Sequence, residues 1–256
     1  MILIKMKISI ITATLNNKSG LLRAIESVRS QTYKNVEHIV VDGGSTDGTV
    51  EAMFNVQCSM SNLQFVSEKD NGIYDAINKG IKLATGDVIG LLHSDDFYTD
   101  EFVLEKYAEA FMQSATRQAN GDLQNQQPIT NSRPPVDAVY SDLVYVGRKL
   151  KDGVGQVEED EKKSSNQPPS SNPLYPIPYT IIRYWKAHNT KEDFATKTQR
   201  HKKLKNGWMP PHPTLFVRKE VFEKYGLYRT DMKIAADYEM ILRLFWKHKI
   251  TAKYLP

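Results

Sequence analysis

Strand-like apolar stretches and helix-like amphipathic stretches alternate through the first hundred residues, joined by short connections, and few architectures accept that pattern. Residues 7–15 are rich in Ile and Thr and read as a buried strand. Leu21, Leu22, Ile25 and Val28 then recur at helical spacing, residues 36–41 form the next strand, residues 49–56 a weak helix and residues 63–66 a short strand. Ile73, Ile77 and Ile81 share one face of a helix that ends near Gly86, and residues 88–92 are a further apolar strand. Strands alternating with helices imply an α/β fold with a mostly parallel sheet. Sheets of that kind bind ligands at the carboxyl ends of their strands, so the residues just past each strand carry the functional information.

Acidic clusters stand at three of those positions. Asp42-Gly43-Gly44-Ser45-Thr46-Asp47-Gly48 follows the second strand. Its glycines permit a tight turn and a close approach of backbone to ligand, and Asp42 either contacts a base or ribose or holds a plain Asp-Gly turn. Glu68-Lys69-Asp70-Asn71-Gly72-Ile73-Tyr74-Asp75 opens the next helix. Here Asp70 or Asn71 also fits a helix cap, and Asp75 the helix dipole. His93-Ser94-Asp95-Asp96 directly follows residues 88–92. Adjacent carboxylates at the end of a buried strand need a cation. Mg2+ or Mn2+ suits them, because such ions take one or two carboxylates and complete their shell with phosphate oxygens. The alternative is an acidic loop at a helix start.

The rest of the chain is less regular. Residues 114–135 are polar and rich in Gln and Asn, residues 136–146 alternate as one strand would, and residues 151–173 are acidic, then rich in Ser, Asn and Pro, which implies a mobile loop. Around the stiff Pro210-Pro211-His212-Pro213-Thr214 run, His212 serves as a ligand or as a simple turn contact. Residues 219–225 form a short helix stopped by Gly226, residues 235–247 a second helix, and residues 250–255 a last strand. Asp237, in Ala235-Ala236-Asp237-Tyr238-Glu239, caps that second helix or acts as a general base. The chain stops after the last strand without a capping segment, and the expectation is that part of an acceptor-binding region is missing.

Composition excludes several classes. With 256 residues, 40% apolar and 25% charged, the chain has the balance of a globular protein. A net charge of +4 suits an anionic ligand without indicating nucleic acid. One cysteine, Cys58, makes neither an internal disulfide nor a zinc cluster. Residues 1–11 are interrupted by Lys5 and Lys7 and lack a cleavage site, and no stretch reaches the roughly 18–20 apolar residues that span a bilayer. A cytoplasmic location follows as the expectation. Basic residues in 183–205, interleaved with Tyr184 and Trp185, suit either peripheral contact with the inner face of the membrane or a solvated basic face. Oligomeric state leaves no mark on the sequence. Gly-x-Gly-x-x-Gly after the first strand and Gly-x-x-x-x-Gly-Lys are both absent, which removes dinucleotide dehydrogenases and P-loop ATPases. A nucleotidyltransferase would need a basic Gly-rich phosphate loop where Leu15-Asn16-Asn17-Lys18-Ser19-Gly20 stands.

In order and spacing, Ile10-Ile11-Thr12-Ala13-Thr14-Leu15-Asn16, Val41-Asp42-Gly43-Gly44-Ser45-Thr46-Asp47-Gly48-Thr49, Ala84-Thr85-Gly86-Asp87, Ser94-Asp95-Asp96 and Ala236-Asp237-Tyr238-Glu239 resemble the family 2 glycosyltransferases. The similarity covers residues 7–113 and resumes over about 207–248. It implies the GT-A fold: a nucleotide-sugar-binding half at 1–113, a variable insertion at 114–206, and an acceptor and catalytic-base half at 207–256. It further implies donor contacts from Thr12, Thr14, Asn16, Asp42, Ser45, Asp70 and Asp95, and a divalent metal on Asp96, with His212 as a further ligand. Asp237 matches the general base, and His212, Trp208 and Glu239 fall on the acceptor side. The first acid of the Asp-any-Asp metal motif is replaced here by Ser94, which shifts the metal work onto Asp96. The implied reaction is inverting transfer from a nucleotide-diphosphate sugar, UDP-linked by preference, to a glycan or lipid-linked acceptor in surface polysaccharide synthesis. The alternative is a non-catalytic nucleotide-sugar-binding protein on the same fold.

Overall fold

A computed structural model describes residues 6–119, 136–148, 179–185 and 208–255. Four parallel strands form its first half: β1 (Ile8–Thr14), β2 (Val36–Asp42), β3 (Leu63–Ser67) and β4 (Val88–Leu91). Three helices connect them, α1 (Lys18–Arg29), α2 (Thr49–Gln57) and α3 (Ile73–Leu83). The sequence pattern predicts each of these, displaced by no more than a few residues at the ends. After β4 come α4 (Val103–Ala119), β5 (Ala138–Ser141), β6 (Leu143–Arg148), β7 (Tyr179–Trp185), β8 (Phe216–Arg218), α5 (Lys219–Tyr225), α6 (Ala236–Ile241) and β9 (Ala252–Leu255).

The seven-stranded sheet runs β3-β2-β1-β4-β8-β5-β9. Its β8 is antiparallel to both β4 and β5, and β9 is parallel to β5, so the sheet is mixed but mostly parallel. Both faces of β1 are buried because its side chains alternate between two helical layers. Ile8 and Ile10 pack with Ala24, Val28, Leu104 and Phe111 of α1 and α4, while Ile11 and Ala13 pack with Ala76 and Ile77 of α3 and with Met240 and Ile241 of α6. Burial on both faces is why β1, β2 and β4 read as largely apolar runs.

Part of the span 114–206 contributes to this sheet, since β5 lies within it. The single strand expected over 136–146 is two strands broken at Asp142, and the second, β6, pairs with β7 in a separate antiparallel ribbon. The helix expected over 235–247 is α-helical only to Ile241 and continues as π-helical turns from Leu242 to Lys247. Residues 151–173, expected as a loop, and most of the basic stretch 183–205 lie outside the described residues. Among the described residues no helix is long and apolar enough to cross a membrane.

Thr12 shares the parity of Ile8 and Ile10 and so points into the α1 side of the sheet. Its buried hydroxyl donates to Leu92 O at 2.6 Å and lies 2.8 Å from His38 Nε2. Because the single hydroxyl proton is taken by Leu92, His38 Nε2–H is the donor in the second contact. Burial pushes His38 down to about 3 from 6.5. Below pH 6.5 the unfolded chain takes up a proton that the folded protein refuses. Stability is therefore complete above that pH and falls by ~1.4 kcal/mol per pH unit towards pH 3. Urea unfolding at pH 7 and pH 5.5 should show this loss, and His38→Gln, which keeps a donor for Thr12, should flatten the slope.

Candidate active site

Parallel registers place Thr14 beside Asp42 and Asp42 beside Ser67, so the carboxyl ends of β1, β2 and β3 form one edge. The strand order reverses between β1 and β4, which puts a crevice between the loop after β1 and the loop after β4. Asn17 ties those loops together. Its Oδ1 caps α1 by accepting from Gly20 N at 3.2 Å, and its Nδ2 donates to Ser94 O at 3.3 Å and Ser94 Oγ at 3.2 Å. Gly20 permits this fit, because a Cβ there would stand 2.2 Å from Ser94 O.

Asp42 is fully buried, and its oxygens are committed. Oδ2 accepts from Gly44 N at 3.1 Å, Ser45 N at 3.0 Å and Ser67 Oγ at 2.6 Å, while Oδ1 accepts from Ser45 Oγ. These contacts hold the turn after β2. Asn16, at φ +50°, clamps the neighbouring loop by accepting from Thr46 N at 2.8 Å, and its own N–H donates to Ser45 Oγ at 2.7 Å. Asp70 faces the same turn: its Oδ2 would be 2.6 Å from a Cβ on Gly43, and its Oδ1 accepts from Gly72 N at 2.9 Å. Thr14 Oγ1 is buried at this edge with no hydrogen-bond partner among the described residues. Thr14, Asn16, Asp42, Ser45 and Asp70 are thus brought together, whereas Thr12 is turned inward.

The turn after β4 is closed by Asp96 N donating to His93 O at 3.0 Å. Asp95 is exposed and Asp96 half-buried. Burial lifts the Asp96 carboxyl above its ordinary range, and the neighbouring Asp95 lifts it further, against the pull of His93. The His93 ring stacks at 6.3 Å from that of His212, and His93 Nδ1 is buried without a hydrogen-bond partner among the described residues. His212 is held by the 3-10 turn His212–Thr214, and its Nε2 lies 2.8 Å from Tyr228 Oη. Burial and His93 push His212 down to about 4, opposed by Asp237. Asp237 stands in the first turn of α6, where Oδ1 accepts from Tyr74 Oη at 3.1 Å. Asp96, His93, His212 and Asp237 therefore form one electrostatic neighbourhood, although they come from distant parts of the chain.

Two residues expected on the acceptor side are engaged elsewhere. Glu239 pairs with Arg243 at 3.0 Å, and Arg243 in turn donates to Gly226 O at 3.0 Å and Leu227 O at 2.6 Å. Trp208 packs edge-on to Tyr140 at 5.9 Å at the margin of the core. Of the resemblance motifs, Ala84-Thr85-Gly86-Asp87 lies at the opposite edge of the sheet. There Glu37 accepts from Thr85 N at 2.6 Å and Gly86 N at 3.0 Å, and Asp87 accepts from Lys7 N at 2.7 Å. Sequence reasoning gives no role to Tyr74, His93 or Tyr228. The first two stand inside acidic clusters that drew attention to their aspartates, and Tyr228 carries no local signal.

A depression of about 340 Å³ beside α1 is lined by Asn16, Asn17, Lys18, Ser19, Leu22 and Asp47. It includes none of Asp96, His212 or Asp237. The carboxylates mark the candidate site instead, since that is where buried charge is concentrated. Among the described residues no three His, Cys, Asp or Glu side chains are grouped to hold a metal ion. Asp96 still fits one: a half-buried carboxylate with raised affinity for a proton and hard oxygen donors suits Mg2+ or Mn2+ whose remaining ligands are phosphate oxygens.

The family model for Glycosyl transferase family 2 matches residues 9–226. An uncharacterized glycosyltransferase of Mycobacterium tuberculosis (strain H37Rv) is 29% identical over 237 residues, 92% of this chain and 68% of its own. Staphylococcus aureus TarS, residues 1–349 in complex with UDP-GlcNAc, superimposes with a TM-score of 0.60 at 16% identity, over 98% of this chain and 56% of that one. The mannosyltransferase PcManGT of Pyrobaculum calidifontis, in complex with GDP-Man and Mn2+, gives 0.58 at 17% identity, over 99% and 56%. At such identities the structural likeness establishes the fold alone, and the chain spans little more than half of either solved protein.

Proposed function

Since the chain belongs to glycosyl transferase family 2, we propose that it transfers a sugar, with inversion, from a nucleotide-diphosphate sugar to a hydroxyl of a glycan or lipid-linked acceptor. A UDP-sugar is the first choice of donor and surface polysaccharide synthesis the expected setting. The observation that carries this reading is the convergence of Asp96 and Asp237 on the His93–His212 pair at the carboxyl end of the sheet.

In this reading Thr14, Asn16, Ser45 and Asp70 surround the nucleoside, Asp42 acts through the turn it holds, and Asp95 edges the diphosphate side. Asp96 would hold a divalent ion, which when bound supplies positive charge beside the departing diphosphate. The buried Tyr228 phenol, kept protonated by burial and by Asp237, has no acceptor other than His212 Nε2 among the described residues. It therefore donates to Nε2 and leaves Nδ1–H of His212 to face an anionic ligand. Asp237 takes the proton from the acceptor hydroxyl as that oxygen attacks the anomeric carbon from the face opposite the leaving group. Bond making and breaking in one displacement inverts the anomeric centre.

Calorimetric titration with UDP, GDP and dTDP, each with and without Mn2+, tests the donor site, and hydrolysis of the matching nucleotide-sugar tests the chemistry. Manganese-dependent binding of one nucleotide with turnover of its sugar is the expected result. Metal-independent binding without turnover would favour the non-catalytic alternative, and binding of none of the three would withdraw the reading.

A further inference from the structure

Tyr74 touches the reaction only through Asp237. It sits in the first turn of α3, and its hydroxyl donates to Asp237 Oδ1 at 3.1 Å. The Tyr74 hydroxyl oxygen itself faces the backbone N–H groups of Ala236 and Asp237, where α6 has no side-chain cap. The ring lies flat on Tyr228, with centroids 5.9 Å apart and planes at 10°. Tyr228 is itself fixed. Asn78, one helical turn after Tyr74 on α3, donates to Tyr228 O at 2.8 Å and accepts from Tyr228 N at 3.0 Å. Tyr228 Oη meets His212 Nε2 at 2.8 Å. One face of α3 thus grips the segment before α6 by its backbone and its ring, and ends in a hydroxyl placed on a single oxygen of Asp237. The other oxygen, Oδ2, has no hydrogen-bond partner among the described residues.

We propose that Tyr74 is a positioning residue for Asp237, holding Oδ1 so that Oδ2 is presented to the acceptor hydroxyl. The inference rests on the general-base reading of Asp237 given above. A carboxylate on a six-residue helix with an αL residue before it has freedom to rotate about χ1 and χ2. A hydrogen bond from a stacked, clamped phenol removes that freedom, and burial together with Asp237 keeps the phenol protonated. Preorganisation of this kind acts on turnover and leaves donor affinity alone.

Hydrolysis of UDP-N-acetylglucosamine and UDP-glucose, with water in place of the acceptor, is the assay, and four proteins are compared: wild type, Tyr74→Phe, Asp237→Asn and the double variant. Tyr74→Phe keeps the ring stack and should lower kcat roughly 10-fold with the donor KM unchanged. In the Asp237→Asn background the same substitution should have no further effect, because it acts through the group already removed. Unchanged kcat in Tyr74→Phe, or a full multiplicative loss in the double variant, overturns the positioning role while Asp237 stands. Wild-type turnover by Asp237→Asn overturns the base assignment and this inference with it. A Tyr74→Phe protein that loses turnover only in proportion to lost donor binding reveals a helix cap and nothing more.

Discussion

Asp237→Asn is expected to bind nucleotide-sugar as the native protein does and to turn it over about 10²- to 10⁴-fold more slowly, the range in which a positioned general base acts. The substitution suits the question because Asn retains an oxygen for the Tyr74 hydroxyl, so the Tyr74–Tyr228 stack and the α6 entry have no reason to move. It removes the capacity to take a proton and changes almost nothing else. The proposed donor contacts lie on the edge formed by β1, β2 and β3, away from α6, which is why affinity and turnover should separate. Native turnover would leave Asp237 only the favourable placement of a carboxylate in the first turn of α6, whose N-cap is Ala235 and which has no side-chain cap.

Most of the sheet is legible in the sequence where one physical rule acts alone. In β1, β2 and β4 burial on both faces gives largely apolar runs, while the edge strand β3 is only partly covered, and α1 and α3 keep a 3.6-residue period. Legibility ends where rules compete. The break at Asp142 is invisible because alternation continues on either side of it, in β5 and then β6, although the two strands join different sheets. β8 is three residues long and follows a proline-rich run that itself signals a turn. α4 does carry a helical pattern, Leu104, Tyr107, Ala108 and Phe111, which the expectations above leave unassigned. The same holds for the site. Its acids are readable, because carboxylates past strand ends are costly without a purpose. The direction a side chain takes is not: Thr12 looks like a strand-end residue, and only its parity sends it to His38 and Leu92. Glu239 looks available until Arg243 is seen four residues on. Tyr74 and Tyr228 matter through a contact across the fold, and no local sequence rule reports such a contact.

The second large effect concerns Asp96, where Asp96→Asn is expected to move two measurements in opposite directions. Manganese-dependent affinity for the nucleotide diphosphate should fall roughly 100-fold or more, towards the metal-free level, since removing even an outer partner of a metal site costs 10–100-fold. Thermal stability at pH 7 should rise, by about 1 kcal/mol on the scale usual for relieving an unfavourable group. The sign follows from burial. Asp96 is lifted above the ordinary carboxyl range by desolvation and by Asp95. Folding therefore disfavours its ionised form, and the folded protein is penalised at every pH where the unfolded chain holds the charge freely. The penalty is relieved as the pH falls through the folded value, where Asp96 takes up a proton, so the advantage of Asn should shrink on acidification. Thermal melts at pH 7 and pH 4.5, paired with manganese titrations at pH 7, separate the cases. A variant that is less stable and still binds nucleotide through Mn2+ would make Asp96 a structural residue of the β4 turn. A variant that is more stable but blind to the metal would mean that the fold tolerates this charge only for the ligand it holds.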